Sequence, residues 1–376
     1  MEFEKLLRLM VDKSGSDLFI TPGLPPSLKV HGKIMPVTRT AMSPEQVREA
    51  VLGLMSEAQR LEFTERRECN FAIHARDIGR FRVSAFFQRS LPAMVLRRIE
   101  SRIPTFDDLK LPDTLRGLSM LKRGLVLVVG ATGTGKSSTL AAMIDHRSKH
   151  STGHIITIED PIEFLHEHQS CIVTQREVGI DTESFEVALR NTLRQAPDVI
   201  MIGEVRSRET MGQALAFAET GHLCVATLHA SNADQALERV INFFPMDRHV
   251  QVWMELSLNL RAIIAQQLIP SADGTGRRAV VEILVNTPLM AERIRRGEVP
   301  GLKTLMSRTN DQGMRTLDQA LYELYREKAI SYQDALAYAD SANDLRLMIK
   351  LESSTGTEAR EGMHLAPDKG PTPGSR

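Results

Sequence analysis

Aromatic side chains are scarce in this sequence, at 5% of 376 residues, with one tryptophan and four tyrosines. Base-stacking platforms for single strands are therefore not suggested. Net charge is absent as well: 47 basic residues balance 47 acidic ones. No bulk field draws the chain toward nucleic acid or anionic lipid, and a nucleic-acid motor is disfavoured. Cysteine is limited to Cys69, Cys171 and Cys224, widely spaced and without a CxxC pair. That pattern fits a reducing compartment and ordinary buried thiols, and excludes a disulfide framework or a cysteine zinc site. No apolar run approaches the roughly 18 residues of a membrane span, so membrane association has to go through a partner.

What is present is the balance of a water-facing globular protein, 42% hydrophobic and 25% charged, long enough for two or three compact domains. Near the N-terminus Phe3, Leu6, Leu7, Met10 and Val11 form a helical stripe among acidic residues, which reads as an amphipathic docking helix and not a signal peptide. Short strands are predicted at 17–20 and 27–30, a helix at 44–63 and an alternating strand at 79–87, giving a mixed domain over residues 1–100. A proline- and aspartate-containing stretch within 101–115 reads as a linker. From 116 to 285 apolar strands at 125–129, 155–158, 199–202, 223–228 and 280–284 alternate with helices. Such alternation implies an α/β fold with a parallel sheet and ligands at the carboxyl ends of its strands. Helices are predicted over 286–351. The Gly-, Pro-, Ser- and Thr-rich residues 352–376 read as a disordered tail.

The strand at 125–129 runs into Gly130-Ala131-Thr132-Gly133-Thr134-Gly135-Lys136-Ser137-Ser138. Glycines at 130, 133 and 135 let the backbone curl so that its N–H groups converge on a phosphate. Lys136 adds a point charge, a helix starting near Gly135 aims its positive end at the same anion, and the Ser137 hydroxyl is placed for Mg²⁺. The preceding apolar run and the helical spacing of Leu140, Met143 and Ile144 supply the strand–loop–helix context the motif requires. ATP and Mg²⁺ are the implied ligands, with nucleotide-binding residues from Gly130 to Ser138.

Three further strand ends carry polar groups. After Ile158 come Glu159, Asp160, Pro161, Ile162 and Glu163. Hydrolysis needs a carboxylate to orient the attacking water, and Glu163 is assigned that role, with Glu159 and Asp160 around the metal. The strand 199–202 ends in Gly203-Glu204, with glycine where aspartate is commoner, and Glu204 is the metal-side carboxylate alongside Ser137. His222 and His229 bracket the strand 223–228, and His229 emerges where it could sense the γ-phosphate. Each has a bland reading: a solvated acidic loop, a surface glutamate, a structural histidine.

Taken in order, GATGTGKS at 130–137, TIEDPIEF at 157–164, PDVIMIGEVR at 197–206 and TGHLCVATLHASNA at 220–233 resemble the four nucleotide-site signatures of the secretion ATPase superfamily. SDLFITPGLPPSLKVHGKI and GRFRVSAFFQ resemble the amino-terminal domain of its pilus-retraction branch. The resemblance implies a RecA-like P-loop ATPase domain preceded by a smaller PAS-like α+β domain. It also implies a cytoplasmic homohexamer, peripheral at the inner-membrane pilus machinery through a platform protein. Each site would lie between one RecA-like domain and a neighbour's amino-terminal domain, with Arg82 and Arg97 matching the arginines that stabilise phosphoryl charge in trans. Assembly branches carry a tetracysteine zinc insert that this chain lacks. Within the retraction branch the segment after Asn286-Thr287-Pro288 departs from the PilT-like pattern, with Ala291 at the motif's arginine position, and Gln195-Ala196 precedes Pro197-Asp198. These departures resemble an accessory retraction ATPase working with a PilT-like partner. The alternative is an ATP-binding adaptor whose own hydrolysis is dispensable.

Overall fold

A computed structural model describes residues 3–30, 32–99, 102–274, 276–308 and 313–361. The chain divides into two compact units. One holds the described residues up to Asp108, Leu115–Leu125 and Ser137–Thr227; the other holds Leu109–Thr114, Val126–Lys136 and the described residues from Leu228 onward.

The first unit opens with α1 (Phe3–Asp12), β1 (Asp17–Ile20), β2 (Ser27–Val30), β3 (Lys33–Pro36), α2 (Pro44–Gly53), α3 (Glu57–Arg66), β4 (Glu68–Ala75), β5 (Gly79–Gln88) and β6 (Leu91–Arg98). The strands form an antiparallel sheet in the order β3-β2-β1-β6-β5-β4. The stripe predicted for α1 turns inward: Leu6, Leu7 and Met10 pack with Leu18, Ile20, Val47, Phe63, Phe81, Val83 and Leu96. This helix docks on its own domain. The single helix predicted at 44–63 is two helices, because Ser56 and Gln59 make a second capping box just after α2 ends. The predicted linker is packed, carrying α4 (Phe106–Leu109) and α5 (Thr114–Ser119), with the buried Phe106 ring edge-on to His146 at 5.4 Å and under the Arg116 guanidinium at 4.9 Å.

Next along the chain come β7 (Gly124–Val129), α6 (Lys136–His150), β8 (Gly153–Glu159), β9 (Cys171–Glu177), α7 (Phe185–Thr192), β10 (Val199–Ile202), α8 (Arg208–Glu219) and β11 (Leu223–Leu228). In the first unit β11, β10, β8 and β9 lie side by side in that order, all parallel. Every residue of β10 and β11 is buried, as a parallel sheet covered on both faces requires. The strand β9 escaped prediction because its Thr174, Gln175 and Arg176 interrupt the apolar pattern at a sheet edge.

The second unit holds most of β7 together with α9 (Ala233–Asn242), α10 (His249–Asn259), β12 (Leu260–Pro270), β13 (Arg277–Val285), α11 (Pro288–Arg295), α12 (Leu302–Arg308), α13 (Leu317–Arg326), α14 (Tyr332–Tyr338) and α15 (Ala342–Glu361). Its strands follow the order β13-β12-β7, with β12 and β13 antiparallel from Ala262↔Val285 to Pro270↔Arg277. Ile269, Val280, Leu317, Leu321, Ile330, Ala335 and Leu345 make the core beneath the C-terminal helices. The helix α15 runs to Glu361, so residues 352–361 of the segment read as a disordered tail are helical; residues 362–376 lie outside the described residues. The architecture is α/β, with an antiparallel sheet near the N-terminus and a parallel set of strands after it.

Candidate functional site

The loop after β7 is built around three glycines in conformations that L side chains rarely adopt, with φ of +157° at Gly130, +78° at Gly133 and +88° at Gly135. Two of them are also hemmed in. A Cβ on Gly130 would meet Thr134 Oγ1 at 2.5 Å and the Gln266 carbonyl at 2.6 Å, and one on Gly135 would meet Gln266 Nε2 at 2.8 Å. Gln266, buried on β12, donates Nε2–H to the Thr134 carbonyl at 2.9 Å. Within the loop the Thr134 hydroxyl donates to Ala131 O at 2.9 Å, and Lys136 Nζ donates to Gly130 O and Ala131 O, each at 2.8 Å. Lys136 opens α6, with Ser137 and Ser138 in its first turn. Ala131, Thr132, Gly133 and Ser137 are exposed. A curled backbone, a cation and a helix N-terminus at one loop are what a polyphosphate needs. Gln266 was not read from the sequence; its only signal is a glutamine pair inside the apolar run of β12.

Carboxylates cluster where β8 and β9 end. Glu159 and Glu177 are register partners on these parallel strands, and both are buried. Glu159 accepts from Thr157 Oγ1 at 2.7 Å, Gln175 Nε2 at 3.1 Å and the Glu163 backbone N–H, while burial pushes its carboxyl up from the ordinary carboxylate range. The Glu163 side chain is exposed at the end of the turn that Glu159 holds, and the Asp160–Pro161 bond in that turn is cis. The Glu159 carboxylate thus also shapes the turn that carries Glu163. The Glu204 carboxylate accepts from Arg206 Nη2 at 2.7 Å, and Arg206 Nη1 lies 3.8 Å from Asp160. The unusual Gly203 has a packing reason, since a Cβ there would stand 3.1 Å from Glu159 Cα and 3.2 Å from Ile158 O.

Arg82 and Arg97 are register partners on β5 and β6. Arg82 Nη2 donates to Ile162 O at 3.3 Å, which brings it to the turn carrying Glu163. Burial, the largest cause, lowers its pKa, and Arg97 adds to that while Glu163 and Glu177 oppose it. Arg97 lies 2.9 Å from the buried Asp17 carboxylate. His229 follows β11 and lines a cleft of about 450 Å³ with Gln235, Glu238, Arg239, Asn242 and Phe243. His222, at the other end of β11, holds Thr220 Oγ1 at 3.1 Å and Phe217 O at 3.3 Å through Nδ1, which is a structural arrangement. Among the described residues no three His, Cys, Asp or Glu side chains gather as a metal cluster, and no helix is long and apolar enough to cross a membrane. Mg²⁺ at phosphate sites takes one or two protein ligands and completes its shell with phosphate and water, which Ser137 and Glu204 suit chemically.

Residues 4–293 match the model of the family described as type II/IV secretion system protein. The chain belongs to that family. It is 72% identical over 358 residues to the type IV pilus ATPase PilU of Pseudomonas aeruginosa, covering 95% of this chain and 94% of that protein. To the type IV pilus retractation ATPase PilT of the same organism it is 39% identical over 335 residues, covering 89% and 97%. The crystal structure of the pilus retraction motor PilT with bound ADP superimposes with a TM-score of 0.87 at 38% identity, covering 92% of this chain and 99% of that one. The resemblance to the secretion ATPases is thus carried by nearly the whole family segment and not by the phosphate loop alone. The departure at Ala291 falls within α11, where Thr287 caps the helix, Met290 is buried and Leu289 is exposed.

Proposed function

We propose that the chain is an ATP-hydrolysing motor subunit that assists type IV pilus retraction, and so twitching motility, together with a PilT-like ATPase. The observation that carries the reading is the glycine loop closed against Gln266, in a chain 72% identical to a type IV pilus ATPase. Residues 1–100 serve as a PAS-like domain and 116–285 as a RecA-like core, joined by 101–115 and followed by the helices of 286–351. Six copies form a ring that works from the cytoplasmic side on an inner-membrane platform protein.

The loop amides and Lys136 bind the phosphates, and α6 orients them with its N-terminus. Ser137 and Glu204 would hold Mg²⁺, which when bound neutralises charge on the phosphates. Glu163 orients the attacking water and accepts its proton, held in place by its own backbone N–H on Glu159. Arg82 and Arg97 stabilise, in trans, charge on the transferring group at a neighbouring copy's site, and His229 senses the γ-phosphate. The test is ATP turnover by the purified chain and by Glu163→Gln. A fall of about 10²-fold or more is expected from losing a group of this kind, whereas an unchanged rate removes Glu163 from the mechanism.

The Ala291 departure favours a second reading, an ATP-binding adaptor of the retraction motor. Complementation of a strain lacking the protein with Lys136→Ala, in the presence of the partner ATPase, separates the two. Loss of motility supports hydrolysis-dependent work, and full restoration supports the adaptor.

A further inference from the structure

Glu177 carries no role in the reading above, yet it lies against both Arg82 and the backbone of the residue that precedes Glu163. It is the last residue of β9, with a side chain only 4% exposed. Its Oε2 accepts the Ile162 N–H at 3.4 Å, and Ile162 directly precedes Glu163. Its Oε1 lies 3.9 Å from Arg82 Nε, and Arg80 Nη2 lies 3.7 Å from Oε2. Arg82 then closes a ring by donating from Nη2 to the Ile162 carbonyl at 3.3 Å. One peptide unit on each side of Ile162 is thus held, the N–H by Glu177 and the C=O by Arg82, while Glu159 in the adjacent strand takes the Glu163 N–H.

The nature of each link matters. A separation of 3.9 Å is too long for a hydrogen bond, and Arg82 Nε is buried with no hydrogen-bond partner. Glu177 therefore holds Arg82 by charge, in a site where burial weakens screening. Toward Ile162 it acts as a hydrogen-bond acceptor. A glutamine could keep the second function and not the first, so the two separate chemically.

We propose that Glu177 is a positioning residue that ties the Arg82 guanidinium to the turn carrying Glu163, so that arginine and water-orienting carboxylate are set by one side chain. This rests on the ATPase reading above. It means that the β5 strand of the N-terminal sheet and the loop after β8 present their groups together, and a shift of one is felt at the other.

The test uses the purified full-length chain with Arg82→Gln, Glu177→Gln and the double substitution. Glu177→Gln is expected to lower kcat about tenfold with KM for ATP within twofold of wild type. The double variant should be within about twofold of the slower single one, because both changes break the same tie. A Glu177→Gln kcat equal to wild type, or losses that multiply in the double variant, overturn the proposal. A second arm does not depend on turnover: with Arg82 no longer held by the Glu177 charge, amide hydrogen exchange over residues 160–164 should rise at least threefold in Glu177→Gln, and unchanged exchange overturns the tie directly. A wild-type chain without ATP turnover would instead sink the ATPase reading, and the exchange arm then decides the tie by itself.

Discussion

Gln266 donates to the Thr134 carbonyl at 2.9 Å, and its own carbonyl stands 2.6 Å from where a Cβ on Gly130 would be. One buried glutamine thereby fixes both ends of the phosphate loop, since its amide nitrogen also fills the space beside Gly135. The loop is shaped from below by β12 as much as by its own glycines.

Replacing Gln266 with leucine keeps the volume and leaves the Thr134 carbonyl without that donor, a loss of roughly 1–2 kcal/mol. Titration with a fluorescent ATP analogue should show about tenfold weaker binding. Gly135→Ala, which adds a Cβ at positive φ against the same side chain, should reduce binding further. Wild-type affinity in Gln266→Leu would show that the loop holds its form unaided.

That loop also marks how far the sequence could be read. The glycine spacing, the apolar strand before it and the helix after it were all legible, because each is a local pattern. So was the α1 stripe, which found its core as the 3.6-residue period requires. Gln266 was not legible, since its partner Thr134 lies 132 residues away and its own strand mixes glutamines into an apolar run. Glu177 was hidden for the same reason, as β9 is a polar edge strand whose value lies in its register with Glu159. The capping box at Ser56 is legible in principle, a serine followed three residues later by glutamine, and it is what separates α2 from α3.

Gly203 occupies the position where a carboxylate is commoner in related site patterns, and a Cβ there would stand 3.1 Å from Glu159 Cα and 3.2 Å from Ile158 O, so the backbone of β8 would have to give way. Gly203→Asp should lower the melting temperature by several degrees, the cost of overpacking being about 1–3 kcal/mol, without raising ATP turnover. A stable Gly203→Asp protein with faster hydrolysis would overturn this account of the glycine.

Arg97 is assigned to phosphoryl charge, but its guanidinium also lies 2.9 Å from the buried Asp17 carboxylate, which otherwise accepts from Ser16 Oγ. Arg97→Ala should therefore cost roughly 1 kcal/mol of stability in urea unfolding, little enough because the arginine itself is largely exposed. Asp17→Asn should abolish most of that cost. If Arg97→Ala leaves stability unchanged, any effect on turnover belongs to the site alone.

Glu282 on β13 accepts the first N–H groups of two helices, Ala233 N of α9 at 2.8 Å and Leu317 N of α13 at 3.3 Å. Burial nevertheless pushes its carboxyl up to about 7. Between its ordinary value and 7 the folded chain holds a proton that the unfolded chain has released, so this group's contribution to stability falls as pH rises through that window. Comparing urea unfolding of wild type and Glu282→Gln at pH 5 and pH 8, the variant should gain on wild type by up to about 3 kcal/mol. A difference independent of pH would mean that Glu282 stays ionised throughout.

Cys69, Cys171 and Cys224 are all buried, and burial raises the pKa of each thiol, Cys69 to about 11. Native chain at neutral pH should react with maleimide only as fast as the surrounding strands open, because the reactive thiolate is both shielded and rare. The three thiols then work as internal clocks: Cys69 times openings of the N-terminal sheet, Cys171 those of the β9 edge, and Cys224 those of β11.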